Sequence, residues 1–106
     1  CIELHTFSSL NKEFLVQYAD TMKGANLSIV FIDKKTFEHK KLQPFTQDDV
    51  QKAFNDKNIK FFDDIALLET YLTSLNYYQT NLLMMSSGNY SGLSLDKLAR
   101  DLNKFL

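Results

Sequence analysis

The sequence predicts an α/β domain, a three-layer Rossmann-like arrangement with a mainly parallel sheet and helices on both faces. Three observations carry that reading. Four short apolar runs alternate with stretches of helical spacing, and such alternation argues a parallel sheet built by right-handed crossovers. Two of the runs, 27–32 (LSIVFI) and 82–85 (LLMM), are apolar almost throughout. They read as strands buried on both faces, as in parallel sheets. The last run passes through the polar turn 86–92 (SSGNYSG) into a helical pattern of Leu95, Leu98, Ala99, Leu102 and Phe105.

Taken in order, 1–4 is a short strand ending at His5, Thr6 and Phe7. Ser8 or Ser9 is placed to cap a helix, with Glu13 in its first turn, where the helix dipole favours an anion. Leu10, Phe14, Tyr18 and Met22 fall four apart, and Leu15 and Ala19 widen the stripe. An amphipathic helix is expected to about Lys23, with Gly24 as its stop. Strand 27–32 follows, and 33–45 reads as polar and irregular. Thr46 with Asp49 resembles a capping box ahead of Val50, Ala53 and Phe54. After a turn at 55–58 come a third strand at 59–62 and a cap at Asp63 or Asp64. The next helix has the face Leu67, Leu68, Tyr71, Leu72 and Leu75.

At 106 residues, 44% hydrophobic and 24% charged, the chain suits one globular domain and argues against disorder. A net charge of −1 and a single arginine, Arg100, speak against nucleic-acid binding. The one cysteine, Cys1, permits no intrachain disulfide and no Cys/His metal cluster, and a cytoplasmic setting is expected. No run is long enough to span a bilayer, so no membrane partner is expected. Because Cys1 and Ile2 already read as strand, the chain is expected to be cut from something longer.

Catalytic motifs are missing. There is no GxSxG elbow, no phosphate loop with Lys-Ser/Thr, and no GxGxxG. The acid pairs Asp48-Asp49 and Asp63-Asp64 precede helices, where capping explains them. His39 reads as a surface residue. His5, at a strand end, is the better functional candidate, because ligands of open α/β sheets sit beyond the carboxyl ends of strands. The residues alone thus give two polar strand-end loops, 5–11 and 86–92, and no reaction.

Those loops carry a resemblance. ELHTFSSLNKEFLVQYADTMKGANLSIVFID resembles part of the carboxyl-terminal domain of Mur ligases, with Glu3-Leu4-His5 at the family's Glu-Pro-His-like triplet and Asp33 at the end of its next strand. NLLMMSSGNYSGLSLDKLARDL is similar to the family's last strand, glycine loop and final helix. Met85-Ser86-Ser87-Gly88-Asn89-Tyr90-Ser91-Gly92 stands where the branch that re-uses peptidoglycan fragments has a Met-Ser-Asn-Gly-Gly-Phe-Gly-Gly loop. That branch joins UDP-N-acetylmuramate to L-alanyl-γ-D-glutamyl-meso-diaminopimelate. Two departures stand out. Thr6, Phe7, Ser8 and Ser9 replace the arginines of many relatives, and the family's preceding strand and helix, with an acidic, His- and Pro-containing motif, have no counterpart here.

The resemblance implies an ATP-dependent, ADP-forming amide ligase of peptidoglycan synthesis or recycling. ATP and Mg²⁺ would be held mainly by amino-terminal and central domains beyond these residues. Residues 1–106 would form one carboxyl-terminal domain, inactive by itself, that positions the incoming amino acid or peptide and closes the site. Ser86, Ser87, Gly88, Asn89 and Tyr90 match the substrate-contacting loop. His5, Thr6 and Ser8 match the loop at the nucleotide cleft, and no catalytic or metal-binding residue carries over. The alternative is a non-catalytic Rossmann-like module that binds a small molecule or phosphosugar.

Overall fold

The computed structural model describes residues 1–6 and 8–104. Phe7 and the expected last stripe residue, Phe105, lie outside them. The elements are β1 (Ile2–Glu3), α1 (Lys12–Leu15), β2 (Ile29–Phe31), α2 (Lys34–His39), α3 (Gln47–Phe54), β3 (Lys60–Phe62), α4 (Ile65–Ser74) and α5 (Leu95–Asn103). The three strands form one parallel sheet in the order β1-β2-β3. Ile2 pairs with Val30 and Glu3 with Phe31, while Ile29, Val30 and Phe31 pair with Lys60, Phe61 and Phe62.

β2 is central and fully enclosed. Strand alternation sends its side chains to opposite faces. Val30 and Ile32 join a cluster with Leu10, Leu15, Val50 and Phe54, whereas Ile29 and Phe31 join another with Leu68, Leu72, Tyr90 and Leu98. Helices therefore pack against both sides of a small parallel α/β sheet. Burying a side chain such as Phe31 or Val50 contributes about 1.5–3 kcal/mol.

The helix starts follow local chemistry. Thr46 and Asp49 form a full capping box at α3. Thr46 Oγ1 accepts from Asp49 N, and Asp49 Oδ2 accepts from Thr46 N. Asp64 caps α4 by accepting from Ala66 N, and Ser94 caps α5 by accepting from Lys97 N. Asn55, in the left-handed conformation, ends α3.

Four expectations are corrected. The helix expected to reach Lys23 is only α1 followed by a 3₁₀ turn, Val16–Tyr18. Tertiary contacts override its periodicity. Tyr18 stacks on Phe54 at 5.3 Å, and Asp20, at φ 66°, donates its N–H to Phe54 O. The cap of α1 is Asn11, accepting from Glu13 N, rather than Ser8 or Ser9. Within 33–45 lies a true helix, α2, capped by Asp33 and anchored by the fully buried Phe37. Among the described residues the run 82–85 makes only one parallel bridge, Ile2 with Met85, and it is not buried on both faces, since Leu83 is 64% exposed.

Candidate functional site

Parallel pairing puts all strand carboxyl ends on one edge of the sheet. His5 follows β1 there, Asp33 follows β2, and Ser86 follows the 82–85 segment. The expected loops 5–11 and 86–92 meet at this edge. A Cβ built on Gly88 would stand 3.0 Å from Glu3 Oε1, 3.0 Å from His5 Cδ2 and 3.1 Å from His5 Nε2. Glycine at 88 permits this close approach, and a side chain there would crowd Glu3 and His5 by a few tenths of an ångström. In the same loop the left-handed conformations fall on Tyr90, Ser91 and Gly92, at φ 52°, 55° and 86°.

The anchor of the loop is Glu3, only 6% exposed. Its Oε1 accepts from Ser86 Oγ at 2.5 Å and from Tyr90 N at 2.9 Å. Ser86 Oγ in turn accepts from Gly88 N at 2.8 Å. A second carboxylate holds the far side, where Ser91 Oγ donates to Asp33 Oδ2 at 2.5 Å. Asp33 Oδ1 meanwhile caps α2 through Lys35 N. Hydrogen bonds to carboxylates are among the stronger ones, so the loop is tied at both ends by acids from β1 and from the end of β2.

The expected substrate-side residues divide by role. Ser86 is committed to Glu3 and Gly88. Tyr90 is 1% exposed, with its ring stacked on Phe31 and its hydroxyl donating to Met85 O at 2.8 Å. Its side chain therefore faces the core. Burial, then the negative charge of Glu3, pushes the Tyr90 hydroxyl up to about 12. Ser87, Gly88 and Asn89 are exposed. Among the described residues the side chains of Ser87 and Asn89 have no hydrogen-bond partner. The loop thus offers three solvent-facing positions on a rigid frame.

On the other side, His5 is half-buried under Gly88, and its carbonyl accepts from Lys40 Nζ at 3.2 Å. Thr6 and Ser8 are exposed. Thr6 Oγ1 lies 2.8 Å from Ser9 Oγ, which lies 3.2 Å from the Tyr18 hydroxyl. Ser8 O accepts from Asn11 N. His39, at the end of α2, is not tied to the site by any hydrogen bond among the described residues.

Sequence reasoning missed the site roles of Glu3, Asp33 and Ser91. One signal was present for Glu3, a charged residue between Ile2 and Leu4 in an apolar strand, which requires internal partners if buried. Among the described residues no group of three or more His, Cys, Asp or Glu is arranged to hold a metal ion. No helix among them is long and apolar enough to cross a membrane.

Compared with models of known protein families, with curated proteins and with solved structures, the chain matches none.

Proposed function

We propose that this chain is the substrate-positioning, carboxyl-terminal module of an ATP-dependent, ADP-forming amide ligase of the Mur type, with a three-layer Rossmann-like domain. The ligase would act in the cytoplasm and join UDP-N-acetylmuramate to an amino acid or peptide. One observation carries the reading: Gly88 is seated on Glu3 and His5. The two segments that resemble the ligase domain are thereby brought into contact at the carboxyl edge of the sheet. The reading rests on that meeting and on the quoted segments, not on a family match.

In this reading Ser87, Gly88 and Asn89 face the incoming amine-bearing substrate, and His5, Thr6 and Ser8 face the nucleotide side. The contribution of the module is orientation and exclusion of water. ATP and Mg²⁺ belong to other domains, and no bond-making step is assigned to residues of this chain.

The test is an assay of the polypeptide that carries these residues together with a phosphate-loop domain. ADP release that requires both UDP-N-acetylmuramate and L-alanyl-γ-D-glutamyl-meso-diaminopimelate supports the reading. Binding of a phosphosugar with no ADP release under any amine substrate supports the non-catalytic alternative instead.

A further inference from the structure

The 82–85 segment runs parallel along the outer side of β1, bridged to it at Met85, and its own outer edge has no neighbour among the described residues. Leu83 O accepts from the Cys1 amino group, Met85 N donates to Cys1 O, and Met85 O accepts from Glu3 N. By alternation, the N–H and C=O groups of Leu82 and Met84 point away from β1. They have no hydrogen-bond partner among the described residues.

The opposite edge is treated differently. The outward N–H of Phe61 donates to the Gln47 side chain at 3.4 Å, and Lys60 supplies an exposed charge. Those are ordinary devices against strand pairing. The 82–85 edge carries neither. No Asp, Glu, Lys, Arg or His occurs anywhere from Thr70 to Leu95. Grooves flank the segment on both sides. One, of about 670 Å³, is lined in part by Met22, Leu27, Ile29 and Leu83, and the other, of about 360 Å³, in part by Leu82, Met84, Leu95 and Leu98.

We propose that two copies of this chain associate through this edge, 82–85 pairing antiparallel with its own copy about a two-fold axis. An added strand needs outward backbone groups at alternate residues and side chains that fill grooves on alternate faces. A second copy of 82–85 supplies both. At a two-fold axis each residue meets its own copy, so a charge there would face its like, and the charge-free run from Thr70 to Leu95 avoids that repulsion. The inference is independent of the ligase reading and stands on the edge alone.

The experiment is sedimentation equilibrium of this chain at about 10 to 500 µM, a range that brackets weak association, with amide hydrogen exchange at both limits. The expected mass climbs from 12.3 kDa towards two chains, and the Leu82 and Met84 amides exchange at least about tenfold more slowly at the upper concentration. Leu83→Lys changes an exposed side chain and should stay at one chain mass throughout, with its melting temperature in the dilute state unchanged. Lys60→Gln, on the other edge, should dimerise like the wild type. A wild-type chain that stays monomeric overturns the proposal. So does a mass that climbs past two chains, or association that survives Leu83→Lys while the two amides still exchange fast.

Discussion

Tyr90 N–H donates to Glu3 Oε1 at 2.9 Å across 87 positions of sequence. This one bond closes the chain on itself, tying the first strand to the turn before the last helix. With the Ser86 bond to the same oxygen, it converts a glycine-containing turn into a fixed platform.

Replacing Glu3 by Leu leaves the Tyr90 N–H buried without its acceptor. Hydrogen bonds to charged groups contribute about 1.5–3 kcal/mol each, and an unsatisfied buried donor costs about 1–3 kcal/mol. Glu3→Leu should lower stability in urea by about 2–4 kcal/mol. Glu3→Gln, which keeps an acceptor oxygen, should cost about half as much. Equal losses in the two variants would mean that packing, rather than the acceptor, is what Glu3 supplies.

The Tyr90 hydroxyl titrates higher in the fold, about 12, than the ordinary 10.0. Folding therefore favours its protonated form. That contribution is fully present below pH 10 and is lost as pH rises through 12. Two pH units correspond to about 3 kcal/mol. Wild-type stability should fall steeply between pH 10 and pH 12, and Tyr90→Phe should fall less over the same interval. Parallel curves would exclude Tyr90 as the group responsible.

At the start of α3, Thr46→Ala removes the oxygen that accepts from Asp49 N. Loss of such a cap costs about 1 kcal/mol. The Thr46 N–H bonded to Asp49 is the main cause holding that carboxyl below its ordinary 3.8. The bond therefore helps the fold above about that pH and is lost as pH falls below it. Alanine keeps that N–H, so thermal unfolding at pH 7 and pH 2.5 should show similar Thr46→Ala deficits, whereas Asp49→Ala, which removes the carboxylate, should show its deficit at pH 7 and a smaller one in acid.

Much of this arrangement is legible in the sequence, and each part for a local reason. The β-branched run around Val30, the Thr46–Asp49 box and the Asp64 cap depend on residues within four positions of one another. The proximity of His5 to Gly88 follows from a rule about parallel strands rather than from either residue. What is not legible depends on distant partners. The spacing of Leu10, Phe14, Tyr18 and Met22 is helical, but Phe54 competes for Tyr18 and for the Asp20 N–H. The spacing of 82–85 cannot reveal that, among the described residues, only β1 lies beside it. Tyr90 reads as a loop aromatic until Phe31 and Met85 are placed around it. Asp33 reads as a strand end, while its roles as the α2 cap and the Ser91 anchor need the fold.

The central claim, that the platform on Glu3 positions an incoming amine substrate, is tested most directly at Gly88. A β-carbon there meets the Glu3 and His5 side chains at about 3 Å, so Gly88→Val must displace those side chains or the loop from their present seat. The measurement is steady-state kinetics of the proposed full-length ligase carrying Gly88→Val, matched to wild type in melting temperature, with the peptide and ATP varied separately. The predicted result is at least a tenfold loss of kcat/KM for the peptide, about 1.4 kcal/mol or more, with the KM for ATP unchanged. Wild-type peptide kinetics in that variant would contradict the claim and leave 86–92 as a turn between a strand and a helix.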